Sequence, residues 1–173
     1  MSIESIKVES IMTKDVKTAK KEHTVKAVAS IMSENDIGSV VITESENLPL
    51  GIITERDVVR VVGKTEAFEA LLYFLTHEVM SKPVITIDSR SSIQDAIQTM
   101  KMKNIRRLPV VNSEGKMVGI ITDKDIFRAI INSQTLLTSM SENVKIEYRP
   151  MYERLSEFVI GEMLLPGSSN PTS

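Results

Sequence analysis

The chain has 173 residues, 42% of them apolar and 25% charged, with a formal charge of -2. That is enough apolar material for one or two small domains, and the acidic balance argues against a dedicated nucleic-acid binder, which would show a basic face. Without cysteine there are no disulfides, no thiolate metal site and no cysteine nucleophile; the two histidines, His23 and His77, have no ligand spacing and are expected as solvated loop residues, with no metal.

No apolar run approaches the ~20 residues of a membrane span. The start, Met1 to Glu4, lacks a charged-then-apolar leader, so the expected location is the cytoplasm. A single constant shift places Met12 on Met80, Val16 on Val84, Thr18 on Thr86, Met32 on Met100, Ile37 on Ile105, Gly51 on Gly119 and Arg60 on Arg128. No gap is needed anywhere, so the chain holds two copies of one unit, residues 8–63 and 76–131.

Each copy opens with an extended stretch, Val16 to Ala19 and Val84 to Ile87, the second placed after Pro83, which biases the chain away from helix. A helix follows. Val25, Val28, Ala29 and Met32 fall at helical spacing in the first copy, and Ile93, Ala96, Ile97 and Met100 in the second, where Ser92 and Asp95 supply a capping box. The strands Ser39–Thr43 with Leu50–Ile53, and Leu108–Val111 with Val118–Ile121, are joined by the turn-like segments Glu44–Asn47 and Asn112–Lys116. These read as hairpins, with Pro49 confined to a strand edge.

A closing helix runs from Glu55 to about Val62, stopped at Gly63, and from Asp123 to about Ile131, stopped near Asn132. Val58, Val59, Val61 and Val62, like Ile126, Phe127, Ala129 and Ile130, cover so much of its circumference that burial on two sides, by the sheet and by a partner helix, is expected. That suggests dimerisation. Residues 64–75 read as a linker, with an amphipathic helix from Thr65 to Leu75. Residues 132–173 form an extension in which Leu136–Met140 and Met151–Leu165 could be helical and Pro166–Ser173 is composed for disorder.

The most informative segment occurs twice: Gly51-Ile52-Ile53-Thr54-Glu55-Arg56-Asp57 and Gly119-Ile120-Ile121-Thr122-Asp123-Lys124-Asp125. A buried strand hands over directly to a helix. Thr54 and Thr122 with Asp57 and Asp125 would form capping boxes that satisfy the first-turn amides. The same free amides and the positive end of the helix dipole also suit an anion, and a carboxylate one turn in suits a sugar diol. The two readings are compatible.

These residues resemble the paired cystathionine-β-synthase (CBS) domain, or Bateman module, of the stand-alone archaeal or bacterial type. The resemblance rests on Val8-Glu9-Ser10-Ile11-Met12 and His77-Glu78-Val79-Met80 at the unit starts, on Asn104 to Val111, and on both Gly-Ile-Ile-Thr-x-x-Asp segments; it covers residues 8–131. It implies an α+β fold of tandem β-α-β-β-α units packed about a pseudo-two-fold axis, and homodimers forming a disk of four CBS units. It also implies adenosine nucleotides, AMP, ADP or ATP, in clefts between paired units. Carried over by position, Asp57 and Asp125 would hold ribose hydroxyls, and Thr54 and Thr122 would contact ribose or phosphate. Val16, Thr18, Ile85 and Thr86 would line the adenine end.

Phosphate needs positive charge. The second copy has Arg106-Arg107 before Leu108-Pro109-Val110, where the first has Gly38-Ser39, so the two sites should be unequal; Arg56 and Lys124 could supplement them. Which cleft Arg106 and Arg107 serve is open at this stage. No Ser-His-Asp, metal-ligand or P-loop pattern appears, so the expected role is a non-catalytic regulatory module that signals to a protein partner or to its own tail, through Tyr148, Tyr152, Leu155 and Phe158. The rivals are a structural dimer without ligand, S-adenosylmethionine binding, and nucleic-acid binding through clusters such as Lys17-Lys20-Lys21.

Overall fold

The computed structural model describes residues 6–44, 47–64 and 73–132. In the first repeat, β1 (Thr18–Lys20) runs parallel to β2 (Ser39–Thr43), the crossover being α1 (Val25–Glu34). Strand β2 then pairs antiparallel with β3 (Pro49–Thr54), from which α2 (Glu55–Val62) departs without a linker. The second repeat begins with the short helix α3 (Thr76–Val79), whose place in the first repeat is taken by a 3-10 turn at Val8–Ser10. It continues with β4 (Ile87–Asp88), α4 (Ile93–Lys103), β5 (Arg107–Val111), β6 (Met117–Thr122) and α5 (Asp123–Asn132). The result is two three-stranded sheets, ordered β1-β2-β3 and β4-β5-β6, in an α+β fold. Among the described residues no helix is long and apolar enough to cross a membrane.

The helices start where the sequence places caps. Thr24 accepts the Ala27 N–H at 3.2 Å to open α1, which buries Val25, Val28 and Met32. Ser92 and Asp95 form the expected reciprocal box at the start of α4, which buries Ile93, Ala96 and Met100. Pro49 opens β3, an edge strand, where its missing N–H leaves no gap in a ladder.

The repeats exchange their first segments. Ser81 donates its N–H to the Ile52 carbonyl at 2.9 Å and accepts from Ile52 at 3.2 Å, so the start of the second repeat is stitched to β3 of the first. Thr13 and Ile120 make the equivalent pair of bonds, both 2.9 Å, in the other direction. Higher up, Phe74 accepts the Val25 N–H and Ile6 accepts that of Ile93. Met80 accordingly packs on the core of the first repeat, made of Ala19, Val28, Met32, Val40, Ile42 and Ile53, while Phe74 and Val79 cover Val25 and Val61. Gly51 and Gly119 make this approach possible: a Cβ on either would run into Met80 or Met12.

Three expectations need correction. The first strand of each repeat starts later than Val16 and Val84, because the Val16 N–H turns back to Lys14 and that of Val84 goes to Leu50 in β3. The helix expected over Thr65–Leu75 does not include Tyr73 to Leu75: Tyr73 lies in a turn and Leu75 is extended, its N–H capping α3 by donating to Glu78 at 2.7 Å. His77 is exposed, as expected, but on α3 rather than in a loop. Residues 65–72 of the linker, Ser45 and Glu46 of the first turn, and the helical, tail-contact and disorder expectations beyond residue 132 lie outside the described residues.

Replacing Gly51 with Ala should destabilise the protein by about 1–3 kcal/mol, the usual cost of overpacking. Combined with Met80→Ala it should cost less than the sum of the two changes, because the new methyl enters the space the methionine leaves. Urea unfolding of the two single variants and the double variant measures this, and simple additivity would contradict the packing described.

Candidate functional site

At the β3–α2 junction the Thr54 N–H donates to Asp57 Oδ2 at 2.9 Å and the Thr54 hydroxyl to the same oxygen at 2.6 Å, while the Asp57 N–H donates to Thr54 Oγ1 at 3.4 Å. Asp57 is thus a cap, and it is 7% exposed. Its other oxygen, Oδ1, accepts from Arg60 Nη1 at 3.3 Å. The β6–α5 junction repeats the pattern: Thr122 N–H and hydroxyl reach Asp125 Oδ2 at 2.9 and 2.7 Å, and Arg128 stands 3.7 Å from Asp125 Oδ1.

A cleft of about 380 Å³ opens beside the first junction, within the ~300–1,000 Å³ typical of small-molecule sites. Its walls come from both repeats. The first supplies Gly38, Ile52 and the run Thr54–Asp57 with Arg60. The second supplies the exchanged segment, through Ser81, Pro83, Val84 and Ile85, and the approach to β5, from Asn104 to Arg107 with Pro109. Its apolar lining includes Pro83, Val84, Ile85, Ile105 and Pro109. Its charged lining is four guanidinium side chains, Arg56, Arg60, Arg106 and Arg107, with the two carboxylates Glu55 and Asp57.

Such a surplus of guanidinium favours an anion, and guanidinium grips phosphate or carboxylate with paired hydrogen bonds. Arg107 is half-buried, and this burial, with the neighbouring charge of Arg106, pushes its pKa down from the ordinary guanidinium value; the carboxylates of Asp123, Glu55 and Asp57 act in the opposite sense. Among the described residues no group of three or more His, Asp or Glu is placed to hold a metal ion.

Of the residues singled out from sequence, the cleft gathers Thr54, Arg56, Asp57, Ile85, Arg106, Arg107 and Pro109. Arg106 and Arg107, from the second repeat, line the same cleft as the Thr-x-x-Asp segment of the first. Val16, Thr18, Thr86, Thr122, Lys124 and Asp125 are not among its walls. Thr122, Lys124 and Asp125 belong to the other junction, and Thr18 is paired with Val41 in β1. The sequence reading passed over Arg60, Glu55, Asn104 and Val84. For Arg60 the signal was present, since it sits three residues after Asp57 and recurs as Arg128 after Asp125.

Pro109 explains one asymmetry. In the first repeat Thr18 pairs with Val41; at the matching place Pro109 replaces Val41, and β4 begins only at Ile87. A proline has no N–H to give the neighbouring strand, so Thr86 has no strand partner, and the chain from Val84 to Thr86 stays irregular where it borders the cleft.

Comparison with known proteins places this geometry. The CBS domain family matches residues 8–64 and 77–132. An uncharacterized protein of Methanopyrus kandleri is 36% identical over 142 residues, which is 82% of this chain and 69% of that protein. Among solved structures, protein MJ1225 of Methanocaldococcus jannaschii superposes with a TM-score of 0.68 at 27% identity, covering 73% of this chain and 50% of that one. The CBS domain pair of protein MJ0100, crystallised with 5'-methylthioadenosine and S-adenosyl-L-methionine, superposes with a TM-score of 0.65 at 25% identity, covering 73% of this chain and 96% of that one. Two matched segments, two equivalent sheets and a cleft between them agree: the chain belongs to the CBS domain family and carries that domain as a tandem pair.

Proposed function

We propose that this protein is a non-catalytic cytoplasmic module that binds an adenosine nucleotide, AMP, ADP or ATP, between its two repeats and passes the occupancy on to a protein partner by a change in arrangement. The observation that carries the reading is the cleft itself, in which a capping carboxylate, an apolar wall and four arginines converge from both repeats. Asp57 Oδ1 accepts the ribose hydroxyls, the wall from Pro83 to Ile85 takes the adenine, and Arg106 and Arg107 hold phosphate. The ligands of the MJ0100 pair share the adenosine part. A phosphate-bearing ligand is favoured over S-adenosylmethionine by the arginines, since S-adenosylmethionine is a sulfonium cation and offers them no phosphate to hold.

A ligand shifts a conformational equilibrium only by its difference in affinity for the two states. A site built from both repeats has such a difference, because any change in their relative placement alters its walls. The duplicated Thr-x-x-Asp segment suits two binding junctions better than a division of acid and base roles. The reading includes a homodimer, a disk of four CBS units, in which a second copy covers Val59, 69% exposed on α2 in the single chain. Light scattering coupled to size exclusion should give the mass of two chains, and the mass of one would remove the dimer from the proposal.

A thermal-shift series with AMP, ADP, ATP, S-adenosylmethionine and GTP tests the ligand. A nucleotide at 100 times its Kd adds ~2.7 kcal/mol, which for a domain of this size raises Tm by several degrees. Asp57→Ala and Asp125→Ala should each cost about 1 kcal/mol of stability through the lost cap. Only Asp57→Ala should remove most of the nucleotide shift. No shift with any nucleotide at millimolar concentration would leave the junctions as caps and the protein as a scaffold.

A further inference from the structure

Arg107 sits between the two strand-to-helix junctions. It opens β5 and pairs in register with Thr122, the last residue of β6. Asp123, the next residue, donates its backbone N–H to the Arg106 carbonyl at 3.0 Å, which fixes the start of α5 against the start of β5. On its other side Arg107 reaches the first junction. Its Nη1 lies 3.5 Å, and Glu55 Oε2 3.0 Å, from the place a Cβ on Gly38 would take, so both side chains border the space that this glycine leaves.

The guanidinium is half-buried, feels the charges of Asp123, Glu55 and Asp57, and among the described residues is held by no side-chain hydrogen bond or ion pair. It is attracted from two junctions and committed to neither. The first repeat has Ser39 at the matching position, so no second arginine does the same in reverse.

We propose that Arg107 is shared between the two junctions: an anion in the first cleft draws the guanidinium from Asp123, and the charge of Asp123 in turn limits how tightly the first cleft holds its anion. Resting on the nucleotide reading given above, this makes Asp123, a residue outside the cleft, a determinant of affinity within it. The coupling is reciprocal, as any coupling between two equilibria must be. Neutralising Asp123 therefore releases Arg107 to the cleft, and the effect passes through Arg107 alone.

Titration calorimetry on the full chain tests this with AMP and, separately, inorganic pyrophosphate, for wild type, Asp123→Asn, Arg107→Ser and the double variant. Low ionic strength is used so that Arg56, Arg60 and Arg106 still hold the anion when Arg107 is gone. Asp123→Asn should tighten binding roughly threefold to tenfold, the scale of one nearby, partly screened charge. In the Arg107→Ser background the same change should alter Kd by less than about twofold. Tightening of equal size in both backgrounds, or none in either, overturns the sharing, while AMP binding that Asp57→Ala abolishes would leave the nucleotide reading intact. If pyrophosphate binds with the expected dependence and AMP binds no better, the sharing stands and the nucleotide reading falls. Absence of binding by both probes removes both.

Discussion

The crossing of the two initial segments is the constraint on which the rest depends. Ser81 zips to Ile52 and Thr13 to Ile120, and the methionine just before each zip lies over a glycine of the facing strand. Each repeat therefore completes its core with residues that precede the other's first strand, as Met80, Phe74 and Val79 do for the first. The cleft inherits this arrangement, because one of its walls, from Ser81 to Ile85, continues the segment that crosses. Core packing and cleft are thereby built from one stretch of chain, and a relative movement of the repeats is felt by both.

At the junctions a single carboxylate has two tasks. Oδ2 of Asp57 holds the start of α2 by accepting from Thr54, which fixes the side chain in one orientation. The other oxygen, Oδ1, accepts from Arg60, and both residues line the cleft. Pre-organisation of this kind reduces the entropy a ligand must overcome, since the acceptor is already ordered by the fold. The capping role of Thr-x-x-Asp and the ligand role proposed for it are thus compatible in one geometry.

Much of this was legible in the sequence. The gapless repeat, the helix spacings of Val25 to Met32 and Ile93 to Met100, and the boxes at Thr54 and Ser92 are local signals, and local hydrogen bonding produces what they promise. The crossing was not legible, because nothing in Met80 or Gly51 alone says that one covers the other; it is a long-range contact between residues of different repeats. For the same reason the sequence left open which junction Arg106 and Arg107 serve. The late start of β4 was hidden as well, since the deciding residue, Pro109, lies on the neighbouring strand.

That proline bears on how duplicated proteins diverge. Two identical repeats related by a two-fold axis would have two identical sockets, and a change favouring one ligand would appear in both only while the copies stayed alike. Pro109, Arg106 and Arg107 lie within four consecutive residues of one copy, where the other has Gly38, Ser39 and Val41. Here the symmetry is broken in a short stretch at the start of the central strand, leaving both cores closed. The cost is one rung of one ladder, and the result is a molecule whose two sides are no longer alike.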